Sequence, residues 1–375
     1  MSKSTAPVRQ EKSLRSESLN LLRFPLALVI LIIHVFGING AGEVHFTDFS
    51  WYRATSNFIN AFMRGQSVPI YFFISGYVFF LGIQLTKEKL KQKLNNRRKT
   101  LLVPYLIWNS VSVLLILAAV LFLPVNMASQ SVSPEISLSS ILSCYWMYDG
   151  RLAGSVIDDC TMPIDFPLWF LRDLMLVVLC TPILNKILKK KGVYWVIAFG
   201  ILWFATACGI GLQFYFPTAG LFFFSWGAYM SINQKDMLVE FGRFTVASVI
   251  LYLGLGMTYM FFTGGNPMLL KVIKSCNVIV GLLFAYNLSA WLLRRKWCKV
   301  SSFLASASFF IYVTHGILCG KVYRAVFYVF KPDGNLTIIL SLVTAVVLTT
   351  VLLLAAFYLL RQYAPNVLKI VAGRK

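Results

Sequence analysis

The stretch that decides the fold is "SLNLLRFPLALVILIIHVFGING", residues 18–40. It is apolar enough to cross a bilayer, yet it carries Arg23 and His34, eleven residues apart. Eleven steps of about 100° make roughly three full turns, so both side chains leave nearly the same face of a helix. Their separation along the axis is about 16 Å, half the hydrocarbon thickness. A polar stripe on such a helix must face the protein interior or a wet cavity. For Arg23 alone, snorkelling to the headgroups is a sufficient reading. His34 sits too deep for that, and its alternatives are a hydrogen bond to a neighbouring helix or service as a proton acceptor.

The rest of the chain has the same character. Of 375 residues, 58% are hydrophobic and 13% charged, and mean hydropathy is +0.71. That composition excludes an ordinary soluble domain. The net charge of +21 falls in short basic clusters between apolar runs, which is the pattern of membrane topology and not of nucleic-acid binding. The first span has no small-residue cleavage site after it and is expected to be a retained helix.

An all-α, polytopic membrane protein with about ten transmembrane helices is therefore expected, as one domain over 1–375. Charge-free stretches mark spans at 24–42, 65–86, 100–134, 244–270, 275–293, 300–320 and 335–360. The run 192–234 is twice the length of a span and contains "QFYFPTAG", so it reads as a helical hairpin. "FPLWFLRDLMLVVLCTPILNK", residues 166–186, is also span-like despite Arg172 and Asp173. With an even number of spans both termini share a side. The segments on that side hold 25 of the 35 Lys and Arg, against eight on the other, so both termini, the tails 1–17 and 362–375, are expected in the cytoplasm.

Residues 125–165 form a long outer connection, rich in acids, that either roofs an outward-facing cleft or is simply mobile. Cys144 and Cys160 lie in it and are a candidate disulfide, with spacing alone deciding nothing. No metal-ligand spacing is present in the sequence, so no metal is expected. Arg172 is expected to pair with another helix, since adjacent helical positions diverge by about 100°. His315 is a candidate second polar lining residue, and His45 a solvated loop histidine. The basic run "KEKLKQKLNNRRKTLLVPYLIW", 87–108, suits either anionic lipid headgroups or a polyanionic ligand.

Five stretches, in order along nearly the whole chain, resemble the acyltransferase-3 family of bacterial integral-membrane acyltransferases. They are "LLRFPLALVILIIHV" with its Arg-x10-His spacing, "VPIYFFISGYVFF", "RRKTLLVPYLIW", "PLWFLRDLMLVVLCTPIL" and "SFFIYVTHGIL". The resemblance implies an enzyme of the bacterial inner membrane with no permanently bound cofactor. It would move an acyl group, acetyl by default, from cytoplasmic acyl-CoA to a hydroxyl of an extracytoplasmic carbohydrate such as an exopolysaccharide or lipopolysaccharide. It implies His34 as the catalytic histidine and Arg23 as its partner. It also implies donor contacts from Arg98, with Arg97 as the alternative and Lys99 beside them. The family often has an arginine just before the proline, where this chain has Lys99 and Thr100. Ser75 and Tyr77 of "ISGY" are candidate cavity residues, although a glycine-mediated helix contact explains that motif equally well. Arg172, Asp173 and His315 complete the candidate lining. The rival from another class is a transporter or lipid-linked glycan flippase, which also uses intramembrane His and Arg. Against it stand the absence of internal repeats and of paired interrupted helices.

Overall fold

The computed structural model describes residues 5–37, 40–41, 44–82, 86–122, 133–157, 161–210 and 216–373. Helix α1 is Thr5–Val35, α2 Ser50–Phe62 and α3 Ser67–Phe80. Helix α4, Lys87–Arg97, passes through a π turn at Arg98–Leu102 into α5, Val103–Phe122. The outer connection contributes α6, Leu138–Ser143. Then come α7 (Trp169–Leu179), α8 (Thr181–Cys208), α9 (Thr218–Ile232) and the single turn α10 (Met237–Glu240). The chain ends with α11 (Thr245–Phe261), α12 (Pro267–Arg294), α13 (Ser302–Phe330), α14 (Asn335–Tyr363) and α15 (Pro365–Val371). The described β structure is one two-residue ladder, Gly40–Ala41 on Val44–His45.

The protein is an all-helical, multi-pass membrane protein. Seven helical stretches are long and apolar enough to cross a bilayer: α1, α4–α5, α8, α10–α11, α12, α13 and α14. The other three of the ten expected helices, α3, α7 and α9, have 14, 11 and 15 residues. That is shorter than the roughly 20 residues a crossing needs. They lie in the interior, and α3 buries ten of its residues. Exposed Leu114, Leu121, Ile197, Ile201, Val246, Ile250, Val347 and Val351 form the outward apolar surface of α5, α8, α11 and α14, which only lipid can cover. The lysines at 186–191, expected to lie between spans, run up to a break at Lys191 (φ −133°, ψ 41°), where α8 divides into two helices.

Helices α3 and α9 touch backbone to backbone. A side-chain carbon on Gly76 would stand 2.0 Å from the Phe224 carbonyl oxygen, and one on Gly227 2.0 Å from that of Phe73. Small residues are how membrane helices approach this closely. Around this pair the rings of Phe72, Phe73, Phe79, Phe223 and Phe224 form the main core. Polar ties lock other helices. Gln66 Nε2 donates to the Asn277 carbonyl at 3.1 Å, and Asn277 Nδ2 to that of Ala61 at 3.0 Å.

The outer connection, where described, is packed. Ser137 and Ser140 cap α6 reciprocally. Cys144 and Leu152 are buried with Val113 of α5, and the Asp165 amide donates to Asn109 Oδ1 of α5 at 3.2 Å. Cys160, and with it the candidate disulfide to Cys144, lies outside the described residues. Arg172 differs from expectation. Its Nη2 lies 2.9 Å from Asp173 Oδ1, so the ion pair forms between neighbours. The reason is a competing task, because Nη1 reaches out of the helix to donate to the carbonyls of Trp146 and Thr161, each at 2.7 Å. The guanidinium thereby pins the outer connection to α7.

Candidate active site

Helix α1 packs against α12, α13, α14 and α3, so its polar stripe faces protein, as the spacing of Arg23 and His34 requires. The two residues open onto different cavities. The first, about 380 Å³, is lined by Arg23, Tyr71, Ser75, Arg97, Thr100 and Tyr312, among others. The second, about 670 Å³, contains His34 with Arg64, Lys271, Lys274, Met162 and Tyr312. Tyr312 lines both, so the two cavities approach each other at its side chain. It is held by donating its hydroxyl to the Pro167 carbonyl and by edge-to-face contact with Phe170, centroids 5.6 Å apart.

Arg97 reaches the first cavity because of the π turn that follows it. A π turn adds a residue to one helical turn and rotates the flanking residues relative to each other. The Arg97 guanidinium rests over the Phe79 ring at 5.8 Å, and Tyr71 donates to the Arg23 carbonyl at 2.5 Å. Arg23 and Arg97 thus face one space whose lining, among the described residues, has no acid, an arrangement that suits an anion. The C-terminal segment closes its side. Ala372 and Gly373 line it, Trp108 Nε1 donates to the Val371 carbonyl at 2.9 Å, and Gly373 (φ +56°) comes so close to Thr100 that a side-chain carbon would lie 2.2 Å from its carbonyl oxygen.

His34 is half-buried. Its ring stacks on His315 at 5.2 Å and meets the edge of Phe166 at 4.8 Å. His315 is fully enclosed, and its Nδ1 lies 2.7 Å from the Tyr312 carbonyl. A carbonyl only accepts, so Nδ1 carries the proton and Nε2 is the ring's basic nitrogen when neutral. That Nε2 is buried without a partner among the described residues.

Beside this pair stands Asp165, in the connection before α7. It is 3% exposed, its Oδ2 has no partner among the described residues, and its Oδ1 fills the space next to Gly316, 2.5 Å from where a side-chain carbon would be. Burial alone pushes its carboxyl up to about 7.

Of the residues singled out from sequence, the structure puts Arg23, Arg97 and Ser75 on the first cavity, His34 on the second and His315 against His34. Arg98, Lys99, Tyr77, Arg172 and Asp173 line neither, and Tyr77 is buried at 2% exposure in the core. His45 is exposed. Sequence reasoning passed over Tyr71, Tyr312, Asp165, Arg64, Lys271 and Lys274. The aromatic residues carry no sequence signal in so aromatic a chain. The three cations were visible as basic residues on the side that topology keeps poor in them.

Comparison with known proteins gives the family. A family described as an acyltransferase domain matches residues 16–361. The chain belongs to the acyltransferase-3 family. It is also similar to the succinoglycan biosynthesis protein ExoH of Rhizobium meliloti (strain 1021), 24% identical over 371 residues, covering 96% of this chain and 92% of that protein. No solved structure matches. This acyltransferase therefore keeps its family resemblance across almost its full length, and its two cavities lie within the matched region apart from Ala372 and Gly373.

Proposed function

We propose that this acyltransferase takes an acyl group, acetyl by default, from cytoplasmic acyl-CoA and places it on a hydroxyl of an extracytoplasmic glycan, at the bacterial inner membrane. The observation that carries the reading is the pair of cavities meeting at Tyr312, one holding Arg23 and Arg97 and the other His34. The polysaccharide named in the relative from Rhizobium meliloti supports a glycan as the acceptor class.

The donor's phosphates bind at the Arg97 end, and Arg23 meets the arm that carries the thioester. The acyl carbonyl passes Tyr312 to reach His34. An acceptor hydroxyl enters from the opposite cavity, and a ring nitrogen of His34 removes its proton as the oxygen attacks the thioester carbon. The C–S bond breaks, the ester forms, and the imidazolium returns its proton to the departing thiolate, so free CoA leaves. A thioester is already activated, and positioning supplies most of what remains. His315, stacked on His34, holds that ring in place.

Proteoliposomes test the vectorial part. Labelled acetyl-CoA is supplied on one face and polysaccharide is enclosed on the other. The proposal expects label on the glycan only when the donor is on the face bearing the 87–99 basic run. Transfer requiring donor and glycan on the same face would contradict it.

A further inference from the structure

The His34 cavity carries more charge than the reaction described requires. Arg64, Lys271 and Lys274 all line it, and among the described residues no Asp or Glu does. Among the described residues, every ion pair involves other cations. These three are among only eight Lys and Arg assigned from sequence to the outer side, where the topological preference runs against basic residues. Anchoring in the membrane does not explain why three converge on one cavity.

The geometry is built. Lys271 and Lys274 are three residues apart on α12 and share the face that continues with Ser275 and Val278 along the same cavity. Arg64 comes from the turn between α2 and α3. Each cationic head has a neighbour on another element. Arg64 Nη2 lies 3.3 Å from where a side-chain carbon on Gly37 would stand, and Lys271 Nζ lies 3.0 Å from the equivalent point on Gly209. Lys274 Nζ sits 5.6 Å from the centroid of the Tyr259 ring. Lys274 is half-buried and Arg64 and Lys271 are exposed, and three like charges gathered around one cavity attract an anion.

We infer that Arg64, Lys271 and Lys274 form an anion subsite beside His34, specific for a substrate bearing a carboxylate or phosphate. The inference rests on the acyltransferase reading for what the cavity holds. The anion belongs either to the acceptor, as in an acidic or phosphorylated sugar, or to the far end of a dicarboxylic acyl group. A cavity of about 670 Å³ has room for a sugar ring and an acyl chain together.

Thermal unfolding of the detergent-purified protein separates these. One arm compares glucuronate and glucose 6-phosphate with glucose, and the other compares succinyl-CoA with acetyl-CoA. Wild type is expected to show a Tm higher by about 2 °C or more with the charged member of at least one arm. The responding arm locates the anion on acceptor or acyl group. Arg64→Gln and Lys274→Gln are each expected to erase the difference while circular dichroism shows an intact helical fold. Equal Tm values within both arms for wild type, or a difference that survives in both variants, would overturn the subsite. Binding is read here without turnover, so failure to release CoA in the same preparation would count against the acyltransferase mechanism and leave this result standing.

Discussion

At the scale of the residue, the site is a set of polar side chains whose burial has to be compensated. Asp165 is the clearest case. Its folded carboxyl titrates near 7, about three units above an ordinary aspartate, equivalent to roughly 4 kcal/mol. The folded state holds this proton more tightly than the unfolded chain, so stability is full below about pH 4 and falls as pH rises through about 7. Asp165→Asn keeps the shape and removes the ionisation. Its Tm is expected to exceed that of wild type at pH 8 and to match it near pH 4; a constant offset across pH would disprove the assignment. Arg97 and Arg98 offer a second contrast, since only Arg97 lines the Arg23 cavity. Arg97→Gln should raise KM for acyl-CoA by about 10- to 100-fold, the worth of one hydrogen bond to a charge, while Arg98→Gln should leave it within about twofold. Equal effects in saturation kinetics would remove the distinction. The family resemblance implied a donor-binding arginine in this run, and the Arg-x10-His spacing showed which two polar residues of α1 share a face. Which arginine turns inward depends on the π turn at Arg98–Leu102, and no periodicity announces a π turn.

At the scale of the element, the decisive contact is between α3 and α9. Gly76 and Gly227 let the two backbones meet, and neither neighbour is a flexible side-chain tip. Gly227→Ala is therefore expected to cost about 3 kcal/mol or more, read as a large fall in Tm. Gly254→Ala in α11 has open space around it and should be neutral or stabilising by up to about 1 kcal/mol. Similar Tm changes for the two would contradict the packing. The "ISGY" motif was legible as either a cavity wall or a glycine contact. Both readings describe it, Ser75 lining the cavity and Gly76 meeting α9. Helix lengths were less legible. Apolar runs mark burial from water but not whether lipid or protein does the covering, so α3 and α9 read as spans although they are too short to cross alone, whereas α7 runs on through Cys180 into the part of α8 before Lys191.

At the scale of the whole molecule, the fold holds two cavities end to end along α1, with Tyr312 lining both and arginines and a histidine at opposite ends. The outer connection, fastened by Arg172, supplies Met162 to the His34 cavity. The C-terminal segment closes the Arg23 cavity. Hydropathy foretold the multi-pass architecture, but not that a short tail near Gly373 would serve as a wall. The central claim is that acyl transfer depends on His34, and release of CoA thiol from acetyl-CoA by purified protein tests it most directly. Wild type should release thiol, and His34→Ala, with its helical fold intact, should release it at least about 100-fold more slowly, the usual contribution of a general base. Equal release by the two proteins would contradict the account.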